Sequence, residues 1–251
     1  MTRVPPHTNF HSSLLIRRLA ELDLLEGAEP AGDFAEELGQ WMHFTDAIAL
    51  SSVHESGMAK MPVQSPEQRE ATGLRMAAEF ERTSTSMVNA IAKVFTAKGG
   101  NSQLKLPLTP EGEVAYLPYR QFYEAHQRDM ELSIEPLRVN LRAALAKASP
   151  ELRKLAELDV VMERILRERE GKLLARVPML LKKRFDAEYA AHQEQLAAGD
   201  QPDNRAAWMQ AGGWLARFCQ TMHSLLLAEA QLRLQPSTGL LEALKQQKHH
   251  E

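Results

Sequence analysis

The fold is decided by the stretch LRAALAKASPELRKLAE at residues 141–157, in which the turn Lys147-Ala148-Ser149-Pro150 separates two helical patterns. Leucines recur at helical spacing on both sides of this turn, which predicts one helix before it and another after it. Ser149-Pro150-Glu151 carries the residue types that end one helix and cap the next. Because so short a connection makes two helices antiparallel neighbours, residues 118–198 are expected to form a long helical hairpin.

The composition of the 251-residue chain favours helices throughout. Leu, Ala, Glu, Arg, Gln and Met, which are strong helix formers, are abundant. Val, Ile, Tyr and Thr, which build strands, are sparse. The sequence therefore predicts an all-α protein, an elongated helical bundle built on the antiparallel hairpin, with proline kinks at Pro136 and Pro178.

Helical patterns also predict four helices outside the hairpin, near residues 9–25, 33–51, 66–98 and 205–234. The clearest start signal of the third is Ser65-Pro66-Glu67-Gln68, a cap followed by proline at the first helical position. Pro236 is expected to end the last helix, and Gly212-Gly213 inside it to let another helix approach closely. The side chains expected to face the core from the second and third helices include Thr45, Ile48, Leu74 and Val88.

Four segments are expected to build one cooperative domain over residues 9–235. They are an N-terminal helical pair (1–60), a third helix with an apolar irregular loop (61–117), the hairpin (118–198), and a buried C-terminal helix with a short amphipathic tail (199–251).

The charge distribution makes nucleic acid an improbable partner for the chain as a whole. The formal net charge is −3, whereas general nucleic-acid binders carry a basic excess. Residues 1–60 hold 4 basic and 9 acidic side chains, a net charge of −5, and residues 116–186 hold 15 basic and 11 acidic, a net charge of +4. Segments of opposite charge are expected to face each other or to face different partners.

The single cysteine, Cys219, excludes an intramolecular disulfide and fits a reducing compartment. Residues 1–6 precede no apolar run, so no signal peptide is expected. No stretch reaches the roughly 18–20 apolar residues of a membrane-spanning helix. The expected location is therefore the cytoplasm.

Motifs of common enzyme and metal sites are missing from the sequence. No Glu-x-x-His, His-Glu-x-x-His, glycine-rich phosphate loop or Gly-x-Ser-x-Gly elbow occurs. Two side-chain pairs remain as candidates. Cys219 and His223, four residues apart, could be half of a metal site or a nucleophile with its base, although a packed core with Phe218 and Met222 is favoured. His43 and Asp46 could be an acid–base pair, although a polar network beside a helix interface is favoured. No cofactor is expected.

The second arm of the hairpin carries a basic surface. Arg164, Arg167 and Arg169, continued by the basic residues up to 184, could bind phosphates or an acidic partner. The interleaved glutamates favour instead a solvated helix face with internal ion pairs. Leu155, Leu158, Met162 and Ile165 have coiled-coil-like spacing near the tip of the hairpin, where a protein partner is expected. The candidate partner-binding residues are Arg153, Lys154, Arg164, Arg167, Glu168 and Arg169.

Several segments resemble a known family: DFAEELGQW at residues 33–41, TDAI at 45–48, LAELD at 155–159, VP at 177–178 and KRF at 183–185. The family is an uncharacterised, all-helical group of proteobacterial domains of unknown function, encoded near OmpA/MotB-like and MotA/ExbB-like membrane proteins. The resemblance covers most of residues 10–235. It implies a cytoplasmic helper of an envelope-spanning machine, with an inner-membrane motor- or stator-like or OmpA-like partner, and it brings no catalytic residues.

Three functions follow as hypotheses. The first is a non-enzymatic scaffold or adaptor that also forms homo-oligomers through the hairpin. The second is a regulatory or nucleic-acid-associated helical protein that uses the arginine-rich arm 164–184. The third is a metal-binding or enzymatic bundle around Cys219 and His223 or around His43 and Asp46.

Overall fold

The computed structural model describes residues 14–22, 43–55, 64–96, 114–199 and 203–246. This part of the chain is helical and contains no β-strand, which confirms the all-α prediction. None of its helices is both long and apolar enough to cross a bilayer. The helices are α1 (Leu14–Glu21), α2 (Phe44–Glu55), α3 (Pro66–Thr96), α4 (Leu117–Ala148), α5 (Pro150–Leu174), α6 (Val177–Gly199) and α7 (Trp214–Gln246), with a 3-10 turn at Arg205–Ala207.

The chain divides into two compact units, each assembled from separate segments. Unit 1 comprises residues 1–31, 90–126 and 176–232, and unit 2 comprises residues 32–89, 127–175 and 233–251. The boundaries fall within α3, α4 and α7 and between α5 and α6. The predicted division into four consecutive segments, joined as one cooperative domain, stays a prediction.

The predicted antiparallel hairpin is present in unit 2, where α4 and α5 pair. Beside the turn, the Arg153 guanidinium donates to the Ala146 carbonyl oxygen at 2.9 Å. At the other end, Gln127 Nε2 donates to the Leu174 carbonyl oxygen at 3.0 Å. Contacts that join residues ever farther from the turn define antiparallel helices, so the antiparallel pairing is confirmed for α4 and α5. Its extension to residue 198 stays a prediction.

The local signals for helix starts act as predicted. Ser149 is extended, and its hydroxyl accepts a hydrogen bond from the Leu152 amide at the start of α5. At the start of α3, Ser65 and Gln68 form a reciprocal capping box: the Gln68 amide donates to the Ser65 hydroxyl, and the Ser65 amide donates to the Gln68 side chain. Both caps satisfy amide groups that have no partner within the helix.

Four charged side chains join α4 to α5 through hydrogen-bonded ion pairs. Asp159 accepts two hydrogen bonds from Arg138, at 2.9 and 2.7 Å, and one from Arg142 Nε at 2.7 Å. Arg142 Nη2 also lies 2.7 Å from Glu163 Oε2. We call this group the hairpin network, namely Arg138, Arg142, Asp159 and Glu163. Its planar, forked pairings fix the relative register of the two helices.

The core of unit 2 follows the prediction on α4 and departs from it on α3. The apolar residues of α4 are buried at the predicted spacing: Met130, Ile134, Leu137, Leu141 and Leu145. On α3, Met76 and Met87 are buried, whereas Leu74 and Val88 are exposed, so the predicted inner face was wrong at these two positions. Ile91, which was also predicted to face the core, is buried. Positions 74 and 76 lie about 200° apart around a helix, so burying one exposes the other.

Helix α2 also differs from the prediction. His43 is non-helical, so α2 begins at Phe44 and reaches Glu55, and the predicted continuous helix over residues 33–51 is wrong. Asp46 is buried, while Thr45 and Ile48 are exposed, contrary to the prediction. Asp46 caps the helix by accepting from the His43 amide, which turns the aspartate inward. Residues 33–41, which begin the predicted helix, lie outside the described residues.

The core of unit 1 is an aromatic cluster around Phe185. Its ring centroid lies 5.5 Å from Tyr116, 5.4 Å from Trp214 and 5.1 Å from Phe218, in tilted or edge-to-face arrangements. The Tyr116 hydroxyl donates to the Pro178 carbonyl oxygen at 2.6 Å. The polar tip of Tyr116 is thus satisfied at the start of α6.

The three internal prolines have different effects. Helix α4 continues through Pro136, whereas α5 ends at Leu174 and Pro178 is the second residue of α6. Pro236 does not end α7, contrary to the prediction, because the helix runs on to Gln246. An interior proline costs roughly 3 kcal/mol. Burial of the following apolar residues, among them Leu240, Leu241 and Leu244, offsets that cost.

Gly212 and Gly213 lie before α7 and not inside it, which corrects the predicted helix start. Gly212 has φ +84°, a conformation that favours glycine. A Cβ atom on Gly213 would lie 2.3 Å from the Trp208 carbonyl oxygen and 2.4 Å from that of Ala207. The close approach predicted for these glycines therefore comes from the preceding turn and not from another helix.

Candidate functional site

Helices α2 and α5 of unit 2 face each other across a cleft of about 480 Å³. We call it the polar cleft; it is lined by His43, Thr45, Asp46, Arg164, Ile165, Glu168, Arg169 and Lys172. Two independent predictions from the sequence meet here, the His43–Asp46 network and part of the basic surface of α5.

Asp46 is the organising residue of the polar cleft. It is buried, and its two carboxylate oxygens have different partners. Oδ2 accepts from the backbone amide of His43 at 3.1 Å, and Oδ1 accepts from Arg164 Nη2 at 2.9 Å. The bond to His43 thus involves its backbone and not its imidazole ring. Asp46 caps α2 and anchors an arginine of α5, so the His43–Asp46 network includes Arg164.

Positive charge is in excess around the cleft. Arg164 is 58% exposed although one of its donors is held by Asp46. Lys172 lies 2.5 Å from Glu168, one helical turn away. This hydrogen bond from Lys172 is the largest effect that lowers the pKa of Glu168, and electrostatic interactions with Lys172, Arg169 and His43 lower it further. Both carboxylates of the cleft therefore already have cationic partners.

The other candidates on α5 lie elsewhere. Arg167 donates to Glu163 at 3.0 Å and so joins the hairpin network. Arg153 binds a carbonyl oxygen beside the turn, and Lys154 is half-buried on α5. The structure therefore places only Arg164, Glu168 and Arg169 of the six candidate partner-binding residues in the polar cleft.

Cys219 and His223 lie on α7 in unit 1. The thiol is buried, and burial raises the pKa of Cys219 to about 12. Burial also lowers the pKa of His223, so its imidazole is neutral at physiological pH. A protonated thiol is a poor nucleophile and a poor metal ligand. Within the described ranges, no three His, Cys, Asp or Glu side chains are placed to hold a metal ion.

An exposed apolar stripe on α4 was missed by the sequence reasoning. We call it the outer stripe; it consists of Leu132, Pro136, Val139 and Ala143. Leu132 is 70% exposed. The spacing of four, three and four residues places all four side chains on one face of the helix, opposite the face that enters the core. The signal was present in the sequence, but the inward face of α4 has the same spacing and larger side chains.

The predicted coiled-coil-like positions on α5 face two environments. Ile165 is buried and forms part of the floor of the polar cleft. Leu155 and Met162 are half-buried, and Leu158 is exposed. A coiled coil through these residues stays a prediction.

Fold and surfaces together define an all-α protein whose unit 2 combines an ion-paired hairpin, a polar cleft and an exposed apolar stripe. The chain belongs to the family described as "Protein of unknown function (DUF3348)", which matches residues 1–246. No curated protein and no solved structure matches it. Membership in an uncharacterised domain family, expected from the sequence, is thereby confirmed.

Proposed function

We propose that this protein is a non-enzymatic scaffold or adaptor that binds a protein partner, and a second copy of itself, through the hairpin. The observation that supports the proposal is the outer stripe. Four apolar residues at alternating spacings of four and three are exposed over three turns of α4. This is the spacing by which one helix packs against another.

The outer stripe suits a helical partner for energetic reasons. Burying an exposed leucine or valine side chain contributes roughly 1.5–3 kcal/mol. Leu132 and Val139, seven residues apart, would occupy equivalent positions in successive heptads of a two-helix contact. An amphipathic helix of the partner is therefore the simplest structure that covers the stripe.

The hairpin network supports the same function because it makes the stripe part of a rigid surface. Arg138 and Arg142 project from α4 toward α5, and their side chains are 14% exposed. A helix whose register is fixed in this way loses little conformational freedom when a partner binds. The platform is preorganised, so more of the apolar burial contributes to affinity.

The class of partner comes from the resemblance noted above. Relatives encoded near MotA/ExbB-like and OmpA/MotB-like proteins suggest a cytoplasmic accessory of an envelope-associated bacterial complex. The proposed partner is accordingly an inner-membrane motor- or stator-like protein or an OmpA-like protein. The partner's helix, on its cytoplasmic side, would lie along the outer stripe.

The arginine-rich arm 164–184 supports the nucleic-acid alternative less well. Most of its basic side chains have carboxylate partners within reach, which limits the counterion release on which such binding depends. The pairs are Arg164–Asp46, Arg167–Glu163, Lys172–Glu168, Lys182–Asp186 and Arg184–Glu188. The alternative of a metal or enzymatic site at Cys219 lacks an ionised thiol at neutral pH.

The test is affinity purification of the tagged protein from its native host, with wild type and two variants. The double variant Leu132→Glu/Val139→Glu places charge on the outer stripe. The control Leu117→Glu changes another exposed leucine of the same helix that lies outside the stripe. Circular dichroism verifies that all three proteins keep their helices, since these sites are exposed and tolerate polar residues.

We expect a membrane-protein complex to co-purify with wild type and with the Leu117→Glu control, and not with the stripe variant. Light scattering of the purified proteins should show self-association of wild type and of the Leu117→Glu control, and weaker self-association of the stripe variant. Equal recovery of partners by the stripe variant and the control would contradict the proposal.

A further inference from the structure

The polar cleft has a shape and a charge that suit a carboxylate-bearing ligand. Its volume of about 480 Å³ lies within the usual range of binding pockets, roughly 300–1,000 Å³. Three permanent cations line it, Arg164, Arg169 and Lys172, against the carboxylates of Asp46 and Glu168. Three cations against two carboxylates give the lining of the cleft a net charge of +1.

Arg164 is held in place to receive such a ligand. Its guanidinium has five N–H donors, and the hydrogen bond to Asp46 uses Nη2. The side chain is nevertheless 58% exposed and lines the cleft. A buried carboxylate that orients an exposed arginine lowers the conformational cost of binding, because the arginine need not be ordered by the ligand. Asp46 is in this sense a positioning residue.

We propose that the polar cleft binds an acidic segment of the protein partner, whose carboxylates pair with Arg164 and Arg169. This inference rests on the proposed adaptor function for the identity of the ligand. Phe44 immediately precedes Thr45 of the cleft and is 81% exposed, which offers an apolar contact to a residue beside the acidic one. The segment that fits therefore combines glutamate or aspartate with an apolar side chain.

The carboxylates of the cleft favour a peptide over a nucleic acid. Glu168 lies between Arg164 and Lys172 along α5 and remains largely exposed. Closely spaced phosphates would be repelled by it, whereas separated carboxylates of a peptide can avoid it. Charge complementarity thus selects the protein segment as occupant.

The test measures fluorescence anisotropy of a fluorescein-labelled peptide of glutamate and leucine, titrated with the full-length protein at low ionic strength. A labelled oligothymidylate of equal net charge serves as the second probe. Arg164→Gln/Arg169→Gln should weaken peptide binding by roughly tenfold, because each exposed ion pair contributes up to about fivefold. The control Lys182→Gln/Lys183→Gln removes the same two positive charges from exposed side chains of unit 1 and should change binding less than about twofold.

The variant Asp46→Ala distinguishes two effects of Asp46 on peptide binding, namely its orientation of Arg164 and its negative charge. It makes the cleft more positive, so charge alone predicts tighter peptide binding, whereas loss of the hydrogen bond to Arg164 predicts weaker binding. Circular dichroism checks that the variant remains folded, and Thr45→Ala provides a second alanine variant at the same helix start that keeps the anchor. The proposal requires weaker binding for Asp46→Ala and little change for Thr45→Ala.

Three results would overturn the inference: no peptide binding, an equal loss in the Lys182→Gln/Lys183→Gln control, or tighter binding of oligothymidylate with the same dependence on Arg164 and Arg169. The proposed function is tested independently through the outer stripe. If the stripe variant loses its partner while the cleft fails these tests, the adaptor function stands and only the acidic ligand is excluded.

Discussion

Asp159→Ala should destabilise the protein by more than any change at an exposed charge, because this carboxylate holds two arginines at once. Its oxygens accept bonds of 2.9 and 2.7 Å from Arg138 and of 2.7 Å from Arg142. All three side chains are only 14% exposed. Removal of the carboxylate therefore takes a hydrogen-bonded partner from two guanidinium groups that are largely buried between α4 and α5.

The size of the effect follows from burial and from the remaining acid. Breaking a fully buried ion pair by removing one partner costs about 3–5 kcal/mol. The network retains some exposure, and Glu163 still lies 2.7 Å from Arg142 Nη2. We therefore expect a loss of about 2–3 kcal/mol in the free energy of unfolding, or roughly 5–10 °C in Tm.

Urea unfolding followed by circular dichroism measures this loss. The control Asp186→Ala removes a carboxylate from the Lys182–Asp186 pair, in which both side chains are 56% exposed, and should cost less than about 0.5 kcal/mol. Arg138→Met added to Asp159→Ala should restore part of the stability, because it replaces a largely buried charge that has lost its hydrogen-bonded partner, and keeps only Glu163 at 3.6 Å, with an apolar side chain. A loss below about 1 kcal/mol for Asp159→Ala, or one equal to the control, would refute the argument.

Three further predictions concern pH, backbone space and thiol chemistry. Burial raises the pKa of Glu163, but its hydrogen bonds with two arginines outweigh this and place its folded pKa below the ordinary value. The contribution of Glu163 to the free energy of unfolding is therefore complete above its pKa in the unfolded chain, about 4.3, and is lost as the pH falls through its lower pKa in the folded protein. Glu163→Gln should therefore reduce the loss of stability that the protein shows as the pH is lowered. Gly213→Ala should cost more than about 3 kcal/mol because the new Cβ meets carbonyl oxygens, whereas Gly73→Ala in α3, with nothing within 4 Å of its Cβ, should leave stability unchanged or raise it by up to about 1 kcal/mol. Cys219 should resist alkylation at pH 8 in the folded protein and react once urea unfolds it, because its thiol is buried with a pKa of about 12; rapid native labelling would contradict this.

The hairpin was predictable because its signals are local. Ser149 and Pro150 act within one turn of the chain, and the inward spacing from Met130 to Leu145 repeats without interruption. Such features need no knowledge of distant residues. The buried face is harder to predict for a helix with two apolar faces, such as α3. Leu74 and Met76 belong to opposite faces of α3, and only the shape of the neighbouring helices decides which of them is buried.

The hairpin network and the polar cleft differ in how far the sequence can predict them. Arg138 and Asp159 are 21 residues apart, but they are nearly equidistant from the turn, so an antiparallel pairing brings them together. That signal was available once the turn was placed. Asp46 and Arg164 are 118 residues apart, and no turn relates them. Their contact depends on how α2 packs on α5, which local patterns do not encode.

Hydrogen–deuterium exchange on the complex recovered from the native host tests the adaptor function most directly. Amide exchange is compared between the protein alone and the protein with its partner bound. We predict additional protection in α4 around the outer stripe, over residues 130–145, because a partner helix covers that face and stabilises its hydrogen bonds. Unchanged exchange there, with new protection confined to residues 176–232, would contradict this prediction.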